Sequence, residues 1–317
     1  MQRREFIAGL GSAAAWPVVA RAQQPATPVV GVFRPFASED GQGAFRKGLS
    51  EIGYVEGRNV TIEYRFGNAL EVMADLVQRR VAVIASFNSG SALVAKAATA
   101  TIPIIFSTGN DPVEVGLVTS LNRPGGNVTG ITSLAQNLTG KRLELLHELL
   151  PNAQRFALLV DPAAPSTAVV TRDALAAALA IGRYIKIFSA RTNSEIDAAF
   201  AGIIQERCDA LLVSANVLFL ARRVQLANLA ARHALPAIYG FRENAEAGGL
   251  MSYDASTTDR ERQAGIYVGR ILKGEKPGDL PVMRATKFEF VINLQTAKLL
   301  CLTIPETLLA TADEVIQ

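Results

Sequence analysis

The sequence has few of the residues that build metal sites or covalent cross-links. Its 317 residues include two cysteines, two histidines and one tryptophan, and 7% of the residues are aromatic. So few Cys and His residues do not make a four-ligand zinc site of the usual spacing without carboxylates, and we expect no metal and no cofactor. Cys208 and Cys301 both lie among apolar residues. This context favours two buried free thiols over a disulfide, which an oxidising compartment would also allow.

Long apolar runs and blocks of like charge are missing as well. Although 49% of the residues are hydrophobic, no segment approaches the ~20 uninterrupted apolar residues that a membrane-spanning helix needs. A membrane-embedded subunit is therefore excluded. The 32 basic and 29 acidic residues are dispersed along the chain, which argues against a nucleic-acid-binding surface. The length corresponds to two domains of an ordinary globular protein.

The first 24 residues have the features of an export signal. Arg3 and Arg4 precede a mildly apolar run of small residues at 8–20, and small residues frame a cleavage point after about Ala22. The paired arginines resemble a twin-arginine signal. An amphipathic first helix is the alternative, but Pro17 would break it. Since no cysteine follows the cleavage point, we expect a periplasmic protein without a lipid anchor.

The rest of the chain alternates short β-branched segments with amphipathic segments of helical length. In the first half the predicted strands are 29–33, 60–66, 81–87, 104–107 and 128–132, and the predicted helices are 43–52, 70–80 and 91–100. After a helix at 141–150, the second half repeats the pattern, with strands 156–160, 185–189, 210–214 and 237–239 and helices 166–181, 195–206 and 218–233. This alternation predicts an α/β fold of two doubly wound parallel-sheet lobes joined by a hinge.

The C-terminal segment does not extend the second series. A predicted helix at 258–272 and the turn at 273–279 are better explained by a return to the first lobe. We predict a first lobe of residues 25–132 plus about 254–282, and a second lobe of residues 133–253 plus about 283–317.

Candidate ligand contacts are the residues that follow the predicted strands. In open parallel sheets, ligands bind beyond the carboxyl ends of the strands, and two facing lobes create a cleft that closes by hinge motion. The candidate ligand-binding residues are Phe36, Ser38, Asn88, Ser89, Gly90, Ser91, Thr108, Asp111, Asn216, Phe219, Tyr239, Arg242, Glu243, Tyr253 and Asp254.

These candidates have different predicted roles. The segment 88–91 opens a helix, so its backbone N–H groups suit a carboxylate, although simple helix capping by its serines is the alternative. Asp111, Glu243 and Asp254 are placed where a cationic amine could be paired. In the alternative interpretation, Asp111 caps the next helix and Glu243 pairs with Arg242. The aromatic candidates either form a wall of the cleft or belong to the core.

No catalytic set is present in the sequence. His147 lies in the middle of a predicted helix and His233 lies at a helix end. The chain contains no dinucleotide-binding loop, no phosphate loop and no nucleophile elbow. We therefore expect a binding protein without enzyme activity. An enzyme on the same fold would use Asp111 with Glu243 as its titratable pair.

Several long motifs resemble a known family. They include GYVEGRNV at 53–60, RPGGNVTG at 123–130, KRLELL at 141–146, EAGGLMSY at 246–253 and the tail at 280–314, with shorter matches at 45–49, 62–65, 111–113, 116–118 and 230–233. These motifs resemble the ABC transporter substrate-binding proteins of the tryptophan/tyrosine-type subfamily. Two positions depart from the family pattern: Asp254 and Cys301 stand where glycine is common.

The resemblance implies a type I periplasmic-binding fold with two lobes joined by three strands. It also implies a small organic solute, such as an aromatic or other amino acid or an aromatic acid, that passes to an ABC permease in the inner membrane. The family's cleft segments correspond to 88–91, 108–111, 216–219 and 242–253. We expect a monomer. The alternative function is a ligand-sensing periplasmic receptor for a signalling system on the same fold.

Overall fold

The computed structural model describes residues 27–34 and 39–317, which form thirteen strands and twelve α-helices. The strands are β1 (Val29–Phe33), β2 (Thr61–Arg65), β3 (Val83–Ser86), β4 (Ile104–Thr108), β5 (Val128–Thr132), β6 (Arg155–Val160), β7 (Tyr184–Ser189), β8 (Ala210–Val213), β9 (Ala237–Tyr239), β10 (Met251–Ala255), β11 (Met283–Arg284), β12 (Phe288–Asn293) and β13 (Glu314–Ile316). The predicted export signal lies outside the described residues.

The helices connect these strands and cover both sheets. They are α1 (Glu39–Glu51), α2 (Ala69–Gln78), α3 (Ser89–Ala98), α4 (Thr139–Leu149), α5 (Thr167–Ala180), α6 (Asn193–Gln205), α7 (Val217–Ala221), α8 (Arg223–Arg232), α9 (Arg242–Glu246), α10 (Thr257–Leu272), α11 (Leu294–Leu299) and α12 (Glu306–Thr311). Among the residues described, none of these helices is long and apolar enough to cross a membrane.

The strands form two separate sheets. The first has the order β11-β5-β4-β3-β1-β2 and the second has the order β13-β12-β10-β9-β8-β6-β7. Each sheet places its second strand at the edge beside its first, with later strands added on the other side, as a doubly wound sheet does. The predicted architecture of two α/β lobes is confirmed. The first lobe is built on the six-stranded sheet and the second lobe on the seven-stranded sheet.

The sequence predicts two parallel sheets, but the second sheet contains one antiparallel pair of strands. β12 pairs with β10 in the antiparallel sense, and β13 runs parallel to β12. The reason lies in the path of the chain. β10 runs towards the first lobe, whereas β12 returns from it, so the two strands run in opposite directions.

The chain passes between the lobes three times. The crossings follow β5, β10 and β11, and α10 packs in the first lobe between the second and third crossings. Met283 and Arg284 pair with Ile131 and Thr132 of β5 and therefore belong to the first sheet. This pairing places the third crossing at 285–287, just beyond the boundary at about 283 that we expected.

Each sheet buries both of its faces, which explains the continuous apolar runs of its strands. In β1, Val30 and Val32 face the cluster formed with α1 and α10, whereas Phe33 faces the cluster formed with α2 and α3. The second sheet packs against α4, α5 and α12 on one face and against α6 and α8 on the other. Alternating side chains of one strand therefore belong to two cores.

Two glycines allow α1 and α10 to lie unusually close together. A Cβ atom at Gly48 would lie 1.9 Å from the carbonyl oxygen of Arg262, and one at Gly265 would lie 2.2 Å from that of Phe45. Because backbone atoms block both positions, no larger side chain fits at this distance. This close packing holds the N-terminal half of α10 beside α1.

Some details differ from the sequence predictions. The helix predicted at 218–233 is divided at Arg222 into α7 and α8. Both cysteines are free, but only Cys208 is buried; Cys301 is exposed, so the prediction of two buried thiols is wrong for Cys301. Cys301 has a backbone φ of 55°, in the left-handed region that favours glycine. A glycine would adopt this conformation without strain.

Candidate functional site

A cleft of about 930 Å³ lies between the two lobes. Its walls are the segments that follow the carboxyl ends of the parallel strands, together with the first turn of α10. The first lobe contributes residues after β1, β3, β4 and β5, and the second lobe contributes residues after β6, β7, β8 and β9. The cleft is thus located where parallel sheets bind ligands.

The wall of the first lobe is held in place by internal hydrogen bonds. The Asn88 side chain accepts a hydrogen bond from the backbone N–H of Ser91 at 2.7 Å and caps α3. The Asn110 side chain donates to Ser89 Oγ at 2.7 Å, and Thr108 Oγ1 accepts from the Asn110 backbone at 3.1 Å. The residue that caps α3 is therefore Asn88 and not one of the serines.

The wall of the second lobe is built in a similar way. The Asn216 side chain caps α7 by accepting from the Leu218 backbone at 2.7 Å, and it donates to Asp161 at 3.3 Å. Arg191 lies 3.6 Å from the same aspartate. Phe241, after β9, lines the same cavity as Phe87 of the first lobe. Polar strand ends and two aromatic rings therefore share one cavity.

A buried ion pair forms part of the cleft on the side of the first lobe. Arg34 donates two hydrogen bonds to Glu261, at 2.8 and 2.6 Å, and both side chains are at most 5% exposed. The guanidinium also lies 4.7 Å from the centre of the Phe87 ring. This bidentate geometry neutralises Arg34 and ties the end of β1 to α10.

A second buried pair lies at the crossings between the lobes. Arg142 of α4 donates to the carbonyl of Tyr253 at 2.7 Å and to that of Ala135 at 3.2 Å, and it lies 3.7 Å from the Asp254 carboxylate. Burial raises the pKa of Asp254, and Arg142 and Arg260 oppose this rise. Burial also lowers the pKa of Arg142, which Asp254 opposes. Arg142 therefore connects the first crossing to the second.

Glu243 and Arg242 differ in how their charges are satisfied. Burial raises the pKa of Glu243, whose Oε2 has no hydrogen-bond partner. Burial alone would lower the pKa of Arg242. Its hydrogen bonds to Glu246 and Glu314, at 2.6 and 2.7 Å, outweigh this effect and raise the pKa. The two neighbours do not pair with each other, so the alternative interpretation of Glu243 as a partner of Arg242 is wrong.

The structure brings eight of the candidate residues together around the cleft. They are Asn88, Ser89, Gly90, Thr108, Asn216, Arg242, Glu243 and Asp254. Phe36 and Ser38 lie outside the described residues.

Five candidates are not part of the cleft wall. Ser91 is buried against Ser86, with their hydroxyl oxygens 2.6 Å apart. Asp111 caps the turn that follows it by accepting from the Val113 backbone at 2.8 Å. Phe219 and Tyr239 are core residues of the second lobe, and Tyr253 stacks on Phe288. Since Asp111 is absent from the wall, it does not form a pair with Glu243 there.

Other residues of the cleft were not among the candidates. Ser133 lies at the first crossing, and Thr257, Arg260 and Glu261 are among the first five residues of α10. The rule that ligand contacts follow strands could have found them, because Ser256 caps α10 directly after β10 ends. The sequence pattern did not show that this helix begins at the cleft.

Comparisons with known proteins agree with this architecture. A family model described as ABC transporter substrate binding protein matches residues 35–316. A tyrosine-binding protein of Clostridioides difficile is 27% identical over 262 residues, which cover 81% of this chain and 75% of that protein.

Two solved structures are similar over almost their whole length. A conserved domain protein from Vibrio cholerae has a TM-score of 0.82 and 27% identity, over 91% of this chain and 99% of that one. An ABC domain from Streptococcus pneumoniae in complex with L-Trp has a TM-score of 0.82 and 25% identity, over 92% of this chain and 100% of that one.

Proposed function

Because the chain belongs to the family of ABC transporter substrate-binding proteins, we propose that it is the extracytoplasmic solute-binding component of an ABC importer. In this role it binds one small organic solute between its lobes and delivers it to a permease in the inner membrane. The export signal predicted at residues 1–24, with cleavage after about Ala22, supports a periplasmic location. We propose that the protein acts as a monomer.

The observation that carries this proposal is the cleft itself. Its volume of about 930 Å³ is in the range of small-molecule sites, and both lobes contribute to its walls. A solute in the cleft therefore contacts both lobes at once when they close. Closure is favoured only by contacts that are stronger in the closed state, and a ligand that bridges the lobes makes such contacts.

The proposed solute is an aromatic amino acid or a related aromatic acid. Phe87 and Phe241 offer apolar faces, and the polar groups around them can orient a charged end. The names of two relatives, one called tyrosine-binding and one containing L-Trp, support the same class. Asp254 does not add a free charge to the cleft, because it is buried beside Arg142.

Isothermal titration calorimetry tests this proposal. The full chain is titrated with L-tryptophan, L-tyrosine, L-phenylalanine, L-leucine, L-glutamate and indole-3-acetate. We expect one site per chain with a preference for the aromatic amino acids. Small-angle X-ray scattering with and without the tightest solute should show a smaller radius of gyration in the complex. Failure of all solutes to bind, or binding with an unchanged radius of gyration, would contradict the proposal.

A further inference from the structure

Arg260 is a buried cation without a carboxylate partner. Among the described residues, Arg34, Arg142 and Arg260 are the arginines that are less than 9% exposed. Arg34 pairs with Glu261, and Arg142 lies beside Asp254. Arg260 is 8% exposed, but within the described part of the chain no carboxylate lies within 4.0 Å of it. Arg260 lowers the pKa of Asp254 and of Glu243 through space without contacting either carboxylate. A buried guanidinium without a contacting carboxylate is costly, so the position suits a ligand anion that binds it directly.

The hydrogen bonds of Arg260 lead to the same conclusion. It donates to Thr257 Oγ1 at 3.3 Å, and its buried Nε has no acceptor. Ser133, at the first crossing, is 6% exposed, and its Oγ also has no partner. Both residues line the cleft. A guanidinium and a hydroxyl with free donors at the crossings are groups that a ligand carboxylate can satisfy.

The opposite wall has an unpaired anion. Glu243 lies in the second lobe, and its buried Oε2 has no hydrogen-bond donor. No lysine or arginine of the described residues lies within 4.0 Å of its carboxylate. Arg260 is close enough to lower the pKa of Glu243 without contacting its carboxylate. An anion on one lobe and a cation on the other thus line the same cleft without forming a pair.

We propose that Arg260 binds the carboxylate of the solute and that Glu243 binds its ammonium group, so that the cleft selects α-amino acids. This inference rests on the proposed solute-binding function and assigns the polarity of its ligand. The ligand's zwitterionic end bridges α10 of the first lobe and α9 of the second, and these two contacts stabilise the closed state. This carboxylate site differs from the segment 88–91, whose backbone N–H groups the sequence predicts for the same role; of these, the Ser91 N–H already donates to the Asn88 side chain.

The test uses three probes that share an indole ring. L-Tryptophan has both charged groups, tryptamine lacks the carboxylate, and indole-3-propionate lacks the ammonium group. Calorimetry measures their affinities for the full chain and for the variants Arg260→Gln, Arg260→Lys and Glu243→Gln. Arg262→Gln is the matched control, because Arg262 lies on the same helix and pairs with Glu51 and Asp259 instead of lining the cleft.

The expected pattern is a specific loss of discrimination. The unchanged chain should bind L-tryptophan about 100-fold more tightly than tryptamine or indole-3-propionate, as expected for losing one desolvated charged hydrogen bond. Arg260→Gln should bind L-tryptophan and tryptamine about equally, and Arg260→Lys should recover part of the preference. Glu243→Gln should bind L-tryptophan and indole-3-propionate about equally. Arg262→Gln should match the unchanged chain within about twofold.

Failure of this inference can be distinguished from failure of the proposed function. If L-tryptophan binds but Arg260→Gln weakens all three probes by the same factor, the solute-binding function stands and the role of Arg260 is overturned. The same holds if the unchanged chain binds tryptamine as tightly as L-tryptophan, a result that does not depend on how the variants fold. If no α-amino acid binds the unchanged chain, both the proposed ligand class and this inference are overturned.

Discussion

Replacing Arg142 with methionine should destabilise the protein at the crossings between its lobes. The change removes two hydrogen bonds to backbone carbonyls, at 2.7 and 3.2 Å, and leaves the buried Asp254 carboxylate without its cation. Breaking a buried pair by removing one partner typically costs about 3–5 kcal/mol. For a chain of this size, this corresponds to a decrease in Tm of about 6–15 °C. Urea denaturation at pH 7.5 measures the free energy of unfolding directly.

The loss of stability caused by Arg142→Met should depend on pH, because Asp254 can be protonated. Burial raises the pKa of this carboxyl in the folded protein, and removing Arg142 removes the largest opposing influence. A carboxyl with a raised folded pKa stabilises the protein most when it is protonated, and this contribution is lost as the pH rises through the folded pKa. We therefore expect the difference between Arg142→Met and the unchanged chain to shrink as the pH falls from 7.5 into the acidic range, where Asp254 becomes protonated.

A double-mutant cycle isolates the interaction. Asp254→Asn alone should cost less than Arg142→Met, because Arg142 keeps its two carbonyl acceptors. The double variant should cost at least about 1 kcal/mol less than the sum of the single changes, because it contains neither of the two buried charges and so leaves no charge without its partner. If Arg142→Met costs less than about 1 kcal/mol, or if the single costs add and do not change with pH, the two residues do not form a coupled buried pair.

Two further predictions follow from the packing and from the cysteines. Gly48→Ala should destabilise the protein by about 1–3 kcal/mol or more, because its Cβ would overlap the Arg262 carbonyl, whereas Gly43→Ala, on the open face of the same helix, should stabilise it by about 0.5–1 kcal/mol. Chemical denaturation of both variants checks this pair, and equal effects would refute the close approach of the helices. In a thiol assay with Ellman's reagent, exposed Cys301 should react quickly and buried Cys208, whose pKa is raised by burial, only after unfolding; two fast thiols in the native protein would contradict the structure.

The sequence predicts the regular parts of the fold well, because those parts follow from local pattern. The apolar runs that became β1, β5 and β9 have the predicted bounds, since each is a fully or nearly fully buried strand between polar turns. The direction of β12 was not predictable in the same way. It depends on the path of the chain after a crossing between lobes, which no local periodicity encodes.

The cleft was predictable in location but not in detail. Strand ends identified Asn88, Asn216 and Glu243, because the carboxyl ends of parallel strands meet at one edge of a sheet. Phe219 and Tyr239 were candidates for the same reason, yet their side chains turn into the core of the second lobe. Which way an aromatic residue points near a strand end depends on packing between distant segments, and a single sequence does not contain that information.

The central claim is that a solute binds in the cleft between the lobes, and a blocked cleft tests it most directly. Ala163, an exposed residue of the cleft wall, is replaced by tryptophan to fill the cleft, and Ala201, an exposed residue of α6 outside it, is replaced in the same way as a control. Calorimetry then compares the binding of L-tryptophan and L-tyrosine to the two variants and to the unchanged chain. We expect Ala163→Trp to lose binding and Ala201→Trp to retain it. Equal binding by both variants, or no binding by the unchanged chain, would contradict the account.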